Sequence, residues 1–182
     1  MPKETYIPSL FGLFRQYGYD GATLAKISAA TGLGKASLYH HFPDGKEEMV
    51  EAVLSYSDDW LQENVLTPLA NEGTAQERLQ KMCDRIDDLY AGGTQPCLLA
   101  ILQAGTGRDV FHGQVNALLK RWIGAIARVL AQAGMDDRLA HQRGEDAIIA
   151  IQGALMLSQG LKDPSPFQRV IQALPEELCR QP

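Results

Sequence analysis

The chain has 182 residues, 45% of them hydrophobic and 21% charged, with a formal net charge of -5. That is enough apolar material for one compact core or for a small domain joined to a larger one, and the acidic balance excludes a basic, nucleic-acid-binding surface spread over the whole molecule. With no apolar run of about 18 residues, and with Lys3, Glu4, Pro8 and Ser9 where a leader would place basic and then apolar residues, a soluble cytoplasmic protein without a membrane partner is expected.

The first helix is predicted from near Tyr6 or Pro8 to Tyr17, because Leu10, Leu13, Phe14 and Tyr17 recur at helical spacing. Pro8 fits only in its first turn, and Gly18 ends it. Asp20-Gly21 forms the turn into a second helix. Thr23 caps that helix through its hydroxyl, and Leu24, Ile27 and Ala30 line one face, with Ala29 and Ala30 small enough for a close crossing. Gly32 supplies a left-handed turn. A third helix from about Lys35 to Phe42 buries Leu38 and Phe42 and leaves Lys35, Ala36, Ser37, Tyr39, His40 and His41 outward or on its flanks. Two short helices about a glycine turn, the second with polar and aromatic groups facing out, are what groove recognition requires.

Pro43-Asp44-Gly45 stops that helix, and Lys46 opens a long one with Met49, Val50, Val53 and Leu54 inside, reaching about Asn64 before Thr67-Pro68 breaks it. No alternating strand pattern follows, so the class is all-α. Helices are predicted from about Thr74 to Tyr90, closed by Gly92-Gly93; briefly after Pro96; from a cap at Asp109 to Gly134; from Asp137 to Gly160; and onward from a Ser165-Pro166 start. The expected division is a DNA-binding domain over 1–56 and a larger helical domain over 57–182, joined by the helix opening at Lys46 rather than by a flexible linker.

Phe14, Tyr17-Gly18-Tyr19, Thr23, Ile27, Gly32, Ser37-Leu38-Tyr39, His41-Phe42 and Lys46-Glu47-Glu48, agreeing together in identity and spacing, resemble the amino-terminal domain of TetR-type transcriptional regulators over roughly residues 6 to 56. Beyond that domain the likeness is one of length and helical character. The resemblance implies that Lys35, Ala36, Ser37, Tyr39 and His40 meet base edges and phosphates. Thr23, Gly34, His41 and Lys46 complete the expected DNA-binding set. Lys35 has the chemistry for a bidentate contact to guanine, and Thr23 and Lys46 stand at helix N-termini that attract phosphate oxygens. Gly34 departs from the family pattern by standing where a serine or threonine usually caps the recognition helix, and Gly45 lengthens the turn before Lys46. The five basic residues of positions 1–56 meet six acidic ones, so few phosphate contacts per subunit and reliance on a dimer are expected.

Other constellations are weak. Gly34-Lys35-Ala36-Ser37 lacks the preceding glycine and strand of a phosphate-binding loop. His141 and Glu145, one turn apart, read as a surface pair rather than a metal site, and no cofactor is expected. Cys83, Cys97 and Cys179 are odd in number and widely spaced, which favours reduced thiols over disulfides or zinc. Cys97, after Pro96, reads either as core or as a redox-sensing thiol.

Trp60, Met82, Tyr90, Phe111, Trp122 and Met156 read either as core or as the lining of a small-molecule effector pocket. The family resemblance further implies a homodimer through the last two helices, for which Ile151, Ala154, Leu155, Ser158, Phe167, Val170, Ile171 and Leu174 are the expected interface. The function that emerges is a ligand-responsive repressor binding a palindromic DNA operator and having no enzymatic activity. The alternatives are a TetR-like activator, or a helical small-molecule-binding protein or enzyme without a DNA function.

Overall fold

The computed structural model describes residues 2–180. Among the described residues the regular structure is helical, with no strand. In chain order the helices are α1 (Ile7–Gly21), α2 (Leu24–Thr31), α3 (Lys35–His41), α4 (Lys46–Leu61), α5 (Thr67–Ala70), α6 (Ala75–Leu89), α7 (Leu98–Leu102), α8 (Gly107–Gln132), α9 (Asp137–Leu161) and α10 (Ser165–Cys179). They form two compact units. The first contains residues up to Asp59 together with Leu98–Asn116, and the second contains Trp60–Cys97 and the chain from Ala117 onward.

In the first unit α1 buries Leu10, Leu13 and Phe14, while Tyr17 is 40% exposed and so lies outside the stripe expected to include it. The helical path breaks at Gly18 as expected (φ 65, ψ -175), and a further short turn carries α1 to Gly21. A Cβ at Gly18 would lie 3.2 Å from Ile101 Cγ2, so α1 and α7 meet closely at this point. In α2 the Thr23 hydroxyl accepts from the Lys26 amide at 3.3 Å, and Gly32 (φ 72) closes the helix in the left-handed conformation. Only Ile27 of the expected inner face is fully buried; Leu24 is 36% exposed, and Ala29 and Ala30 face outward. Steps of three residues drift by roughly 60° around a 3.6-residue turn, so a stripe centred on Ile27 leaves its ends at the rim. Leu38, Phe42, Met49, Val50 and Val53 have no exposed surface and close the core of this unit.

In the second unit the helical path does not break at Thr67-Pro68. A π turn over Gln62–Leu66 precedes α5, accommodating the missing N–H of Pro68 before the helix ends at Ala70. The start of α6 is a reciprocal capping box: the Thr74 hydroxyl accepts from the Glu77 amide at 3.2 Å, and Glu77 Oε2 accepts from the Thr74 amide at 2.8 Å. Arg78 is buried, donating through Nε to the Leu69 carbonyl at 2.6 Å and through Nη1 to Gln132 Oε1 at 2.9 Å. Its guanidinium thereby satisfies a carbonyl at the end of α5 that has no helical partner. Asp109 lies inside α8, which begins at Gly107, so the expected cap falls in the first turn instead. At α10 the N-cap is Pro164, and the carboxylate of Asp163 before it accepts from the Ser165 amide at 2.9 Å and hydroxyl at 2.8 Å. Ser165 is itself the first helical residue, so its own N–H is one of the donors needing a cap.

Phe167 anchors α10. It has no exposed surface, its amide donates to Ser158 Oγ at 3.0 Å, and its ring meets Tyr90 edge-on at 6.0 Å. Gly93 (φ 95) presses against the same side chain from the loop after α6.

Candidate nucleic-acid interface

α3 is short, and its orientation is fixed by the burial of Leu38 and of Phe42 just beyond it. Lys35, Ala36, Ser37, Tyr39 and His40 are all exposed, and Tyr39 retains 42% of its surface. These residues form a continuous outer face of the kind that can descend into a major groove. Gly34, the residue before the helix, makes no side-chain cap. His41 is half-buried, its ring 5.2 Å from Tyr6 and 5.4 Å from His40. His40 and His41 stand in the last turn, where the helix dipole favours positive charge.

The flanking cations are held. Lys26 Nζ lies 3.8 Å from the centre of the Tyr17 ring and donates to the Gly21 carbonyl at 3.0 Å. Lys46 Nζ lies 4.2 Å from the centre of the Tyr19 ring. Glu48 accepts from the Asp44 amide at 3.1 Å and pairs with Lys3 at 3.4 Å, which ties the turn before α4 to the amino terminus. Tyr17, Tyr19 and Lys26, which make these contacts, were not in the expected DNA-binding set, although Lys26 was expected beside it. The signal available for them was the pairing of aromatic and basic residues around the turn between α1 and α2, which spacing alone does not interpret.

Two family models match. The amino-terminal domain of bacterial regulatory proteins of the tetR family covers residues 11–53. The carboxy-terminal domain described as transcriptional regulator LmrA/YxaF-like covers residues 75–173, more than half of the chain. The chain belongs to the TetR family. Among its relatives, the HTH-type transcriptional regulator YxaF of Bacillus subtilis is 25% identical over 177 residues, covering 95% of this chain and 93% of that one. A TetR transcriptional regulator from Legionella pneumophila has the same fold, with a TM-score of 0.82 at 23% identity and 94% of each chain covered. The TetR-family regulator CifR, solved as a cysteine mutant with a 26-base-pair operator DNA, has a TM-score of 0.74 at 17% identity and 95% coverage of each chain. TetR-family members are DNA-binding regulators rather than enzymes, and this chain is one of them.

In this TetR-family regulator the residues expected around an effector divide between several places. Met82, Tyr90 and Trp122 are core residues of the second unit, with Trp122 Nε1 donating to Met82 Sδ at 3.3 Å, while Trp60 is half-buried. Phe111 belongs to the first unit and packs edge-on against Tyr19 at 5.3 Å, and Met156 is 79% exposed. Spacing places both on apolar helix faces, but it does not tell which unit, or whether any unit, covers the face. A cavity of about 340 Å³ between α6 and α10 has a mainly polar lining of Gln80, Cys83, Asp84, Asp87, Gln168, Ile171 and Gln172, none of them among the expected set. Asp87 Oδ1 is occluded there without a hydrogen-bond donor, and burial, with Asp88 and Asp84 nearby, pushes its carboxyl above the usual range.

The expected interface residues need a similar correction. Ile151, Ala154, Leu155, Ser158, Phe167, Ile171 and Leu174 are buried in the core of their own unit, and Val170 is half-buried. The apolar surface that α9 leaves open is its other side, where Ile149, Met156, Leu157 and Leu161 are 68%, 79%, 50% and 60% exposed. α9 is apolar on two faces, so composition alone did not tell which one the chain covers itself.

Burial raises the Cys83 thiol to about 12, and buried Cys97 accepts from Gln152 Nε2 at 3.2 Å. His141 Nδ1 and Glu145 Oε1 form an exposed contact at 3.7 Å. No helix among the described residues is long and apolar enough to cross a membrane.

Proposed function

We propose that this protein is a homodimeric, effector-responsive transcriptional repressor of the cytoplasm that sets α3 of each subunit into successive major grooves of a palindromic operator. The observation that carries this reading is the exposed row Lys35, Ala36, Ser37, Tyr39 and His40 on a helix whose other side is locked by Leu38 and Phe42. Thr23, Gly34, His41 and Lys46 flank that row as phosphate contacts. CifR, a fold neighbour, is a family member solved on its operator, which supports a duplex as the partner. Footprinting of the purified protein on the DNA upstream of its own gene, at stated salt, tests the reading. Two protected half-sites about 34 to 36 Å apart, or a multiple of that, are expected, and transcription in vitro from that DNA should fall when the protein is added. A rise would make it an activator, and the absence of protection on this DNA and on selected random duplexes would remove the DNA function.

The open face of α9 supports the dimer. Ile149, Met156, Leu157 and Leu161, with Gly153 and Gly160 between them, form an apolar strip that water covers in a lone subunit, and small residues in such a strip allow a second helix to approach closely. Met156→Glu with Leu157→Glu is expected to turn the dimer into a monomer in sedimentation velocity, with an unchanged helical circular-dichroism spectrum. The double variant sedimenting as a dimer would move the interface elsewhere. The effector is assigned to the second unit, and binding there weakens DNA affinity only by the difference in its affinity for the DNA-competent and incompetent conformations. α4 links the two functions, since it begins at Lys46 and ends at Leu61 in the second unit.

A further inference from the structure

Lys46 opens α4, and its ammonium lies over an aromatic ring. Asp20, which feels the charge of Lys46, is engaged by another residue. Asp20 accepts from the Thr106 amide at 2.9 Å and from the Thr106 hydroxyl, two hydrogen bonds that hold its carboxyl below the usual range, with Lys46 as a lesser influence. The group beneath the ammonium is the Tyr19 ring, 4.2 Å away. That ring is itself immobilised. Phe111 meets it edge-on at 5.3 Å, and a Cβ at Gly107 would come within 2.9 Å of Tyr19 Cβ, so the start of α8 lies directly against the residue.

An aromatic face and a carboxylate hold an ammonium differently. A carboxylate neutralises it and takes its N–H donors, whereas a ring restricts the four-carbon stem and leaves the charge available to a phosphate. We propose that Tyr19 is a positioning residue for DNA binding: clamped between α8 and Lys46, it holds the Lys46 ammonium ready for a backbone phosphate. The proposal rests on the reading of Lys46 as a phosphate contact. It also gives Leu98–Asn116 a role at the DNA surface, because Phe111 and Gly107 fix the ring that fixes the lysine.

The test is a cycle of the full-length variants Lys46→Ala, Tyr19→Leu, Tyr19→Phe and the double variant Tyr19→Leu/Lys46→Ala. Each is titrated by fluorescence anisotropy against a labelled duplex that the wild-type protein selects from a random-sequence pool, over a range of salt. Loss of one phosphate contact lowers the slope of log affinity against log salt by about 0.9 per subunit. Lys46→Ala should show that decrease with an affinity loss of roughly three- to tenfold per head. Tyr19→Leu should reproduce most of both effects, the double variant should be no weaker than Lys46→Ala, and Tyr19→Phe should behave as wild type. Thermal melts of all four accompany the titrations, because a ring that only supports the fold would lower the melting temperature without moving the salt slope. Lys46→Ala with unchanged binding removes Lys46 as a phosphate contact and the proposal with it. Lys46→Ala weakened but Tyr19→Leu unchanged in slope overturns the role of Tyr19 alone, as does a double variant whose losses simply add.

Discussion

Replacing Lys35 and Tyr39 together by alanine is expected to lower operator affinity by at least about a hundredfold while leaving the melting temperature within a few degrees of wild type. Both side chains are exposed and neither fills the core, so the folded state loses little. A good base-edge contact contributes roughly 1 to 3 kcal/mol of discrimination, and in a dimer each substitution acts twice. The acidic balance of the chain enlarges the effect. Its net charge of -5 leaves little nonspecific attraction to hold the protein on DNA once the reading contacts are gone. Electrophoretic mobility shifts with the footprinted fragment, alongside sedimentation to confirm an unchanged oligomeric state, provide the measurement. Unaltered affinity in this variant would show that α3 is not the reading helix.

The second large effect concerns stability. Gly93→Ala is expected to cost about 3 kcal/mol, combining the strain of a side chain in left-handed backbone with overlap in a packed core. Gly93 has φ 95, and an added Cβ would lie 2.7 Å from Phe167 Cβ and 2.9 Å from its Cδ1. Phe167 cannot yield, because its amide is bound to Ser158 Oγ and its ring is packed against Tyr90. For a chain of this length the loss amounts to a fall in melting temperature of roughly 10 °C, read by differential scanning calorimetry. Gly34→Ala is a useful control, since a Cβ there meets nothing within 4 Å. A melting temperature for Gly93→Ala within a degree or two of wild type would mean that the α10 start is free to shift.

Much of the reading head was legible because its determinants are local. The Thr23 cap, the turn at Gly32 and the buried pair Leu38 and Phe42 each depend on residues within a few positions of one another, where propensity and periodicity speak directly. The all-helical class was legible for the same reason. The Tyr19 clamp was not, since Thr106, Gly107 and Phe111 are far away in the sequence and nothing near Tyr19 announces them. Neither was the open side of α9. Small and branched apolar residues at Ile151, Ala154 and Leu155 suggest a helix–helix contact, and they make one, but with their own chain. The polar lining of the α6–α10 cavity likewise comes from glutamines and aspartates that periodicity assigns to solvated faces.

The partition of the chain between the two units also bears on its biosynthesis. Residues up to Asp59 contain every side chain of the proposed reading surface, yet their unit is finished only by Leu98–Asn116. On the ribosome, α1 to α3 emerge first but wait several seconds at ordinary elongation rates before Ile101, Thr106 and Phe111 arrive to contact Gly18, Asp20 and Tyr19. The nascent head spends that interval with an uncovered flank. A truncated transcript ending near residue 60 would therefore release a fragment that carries the whole of α3 but lacks the residues that complete its unit.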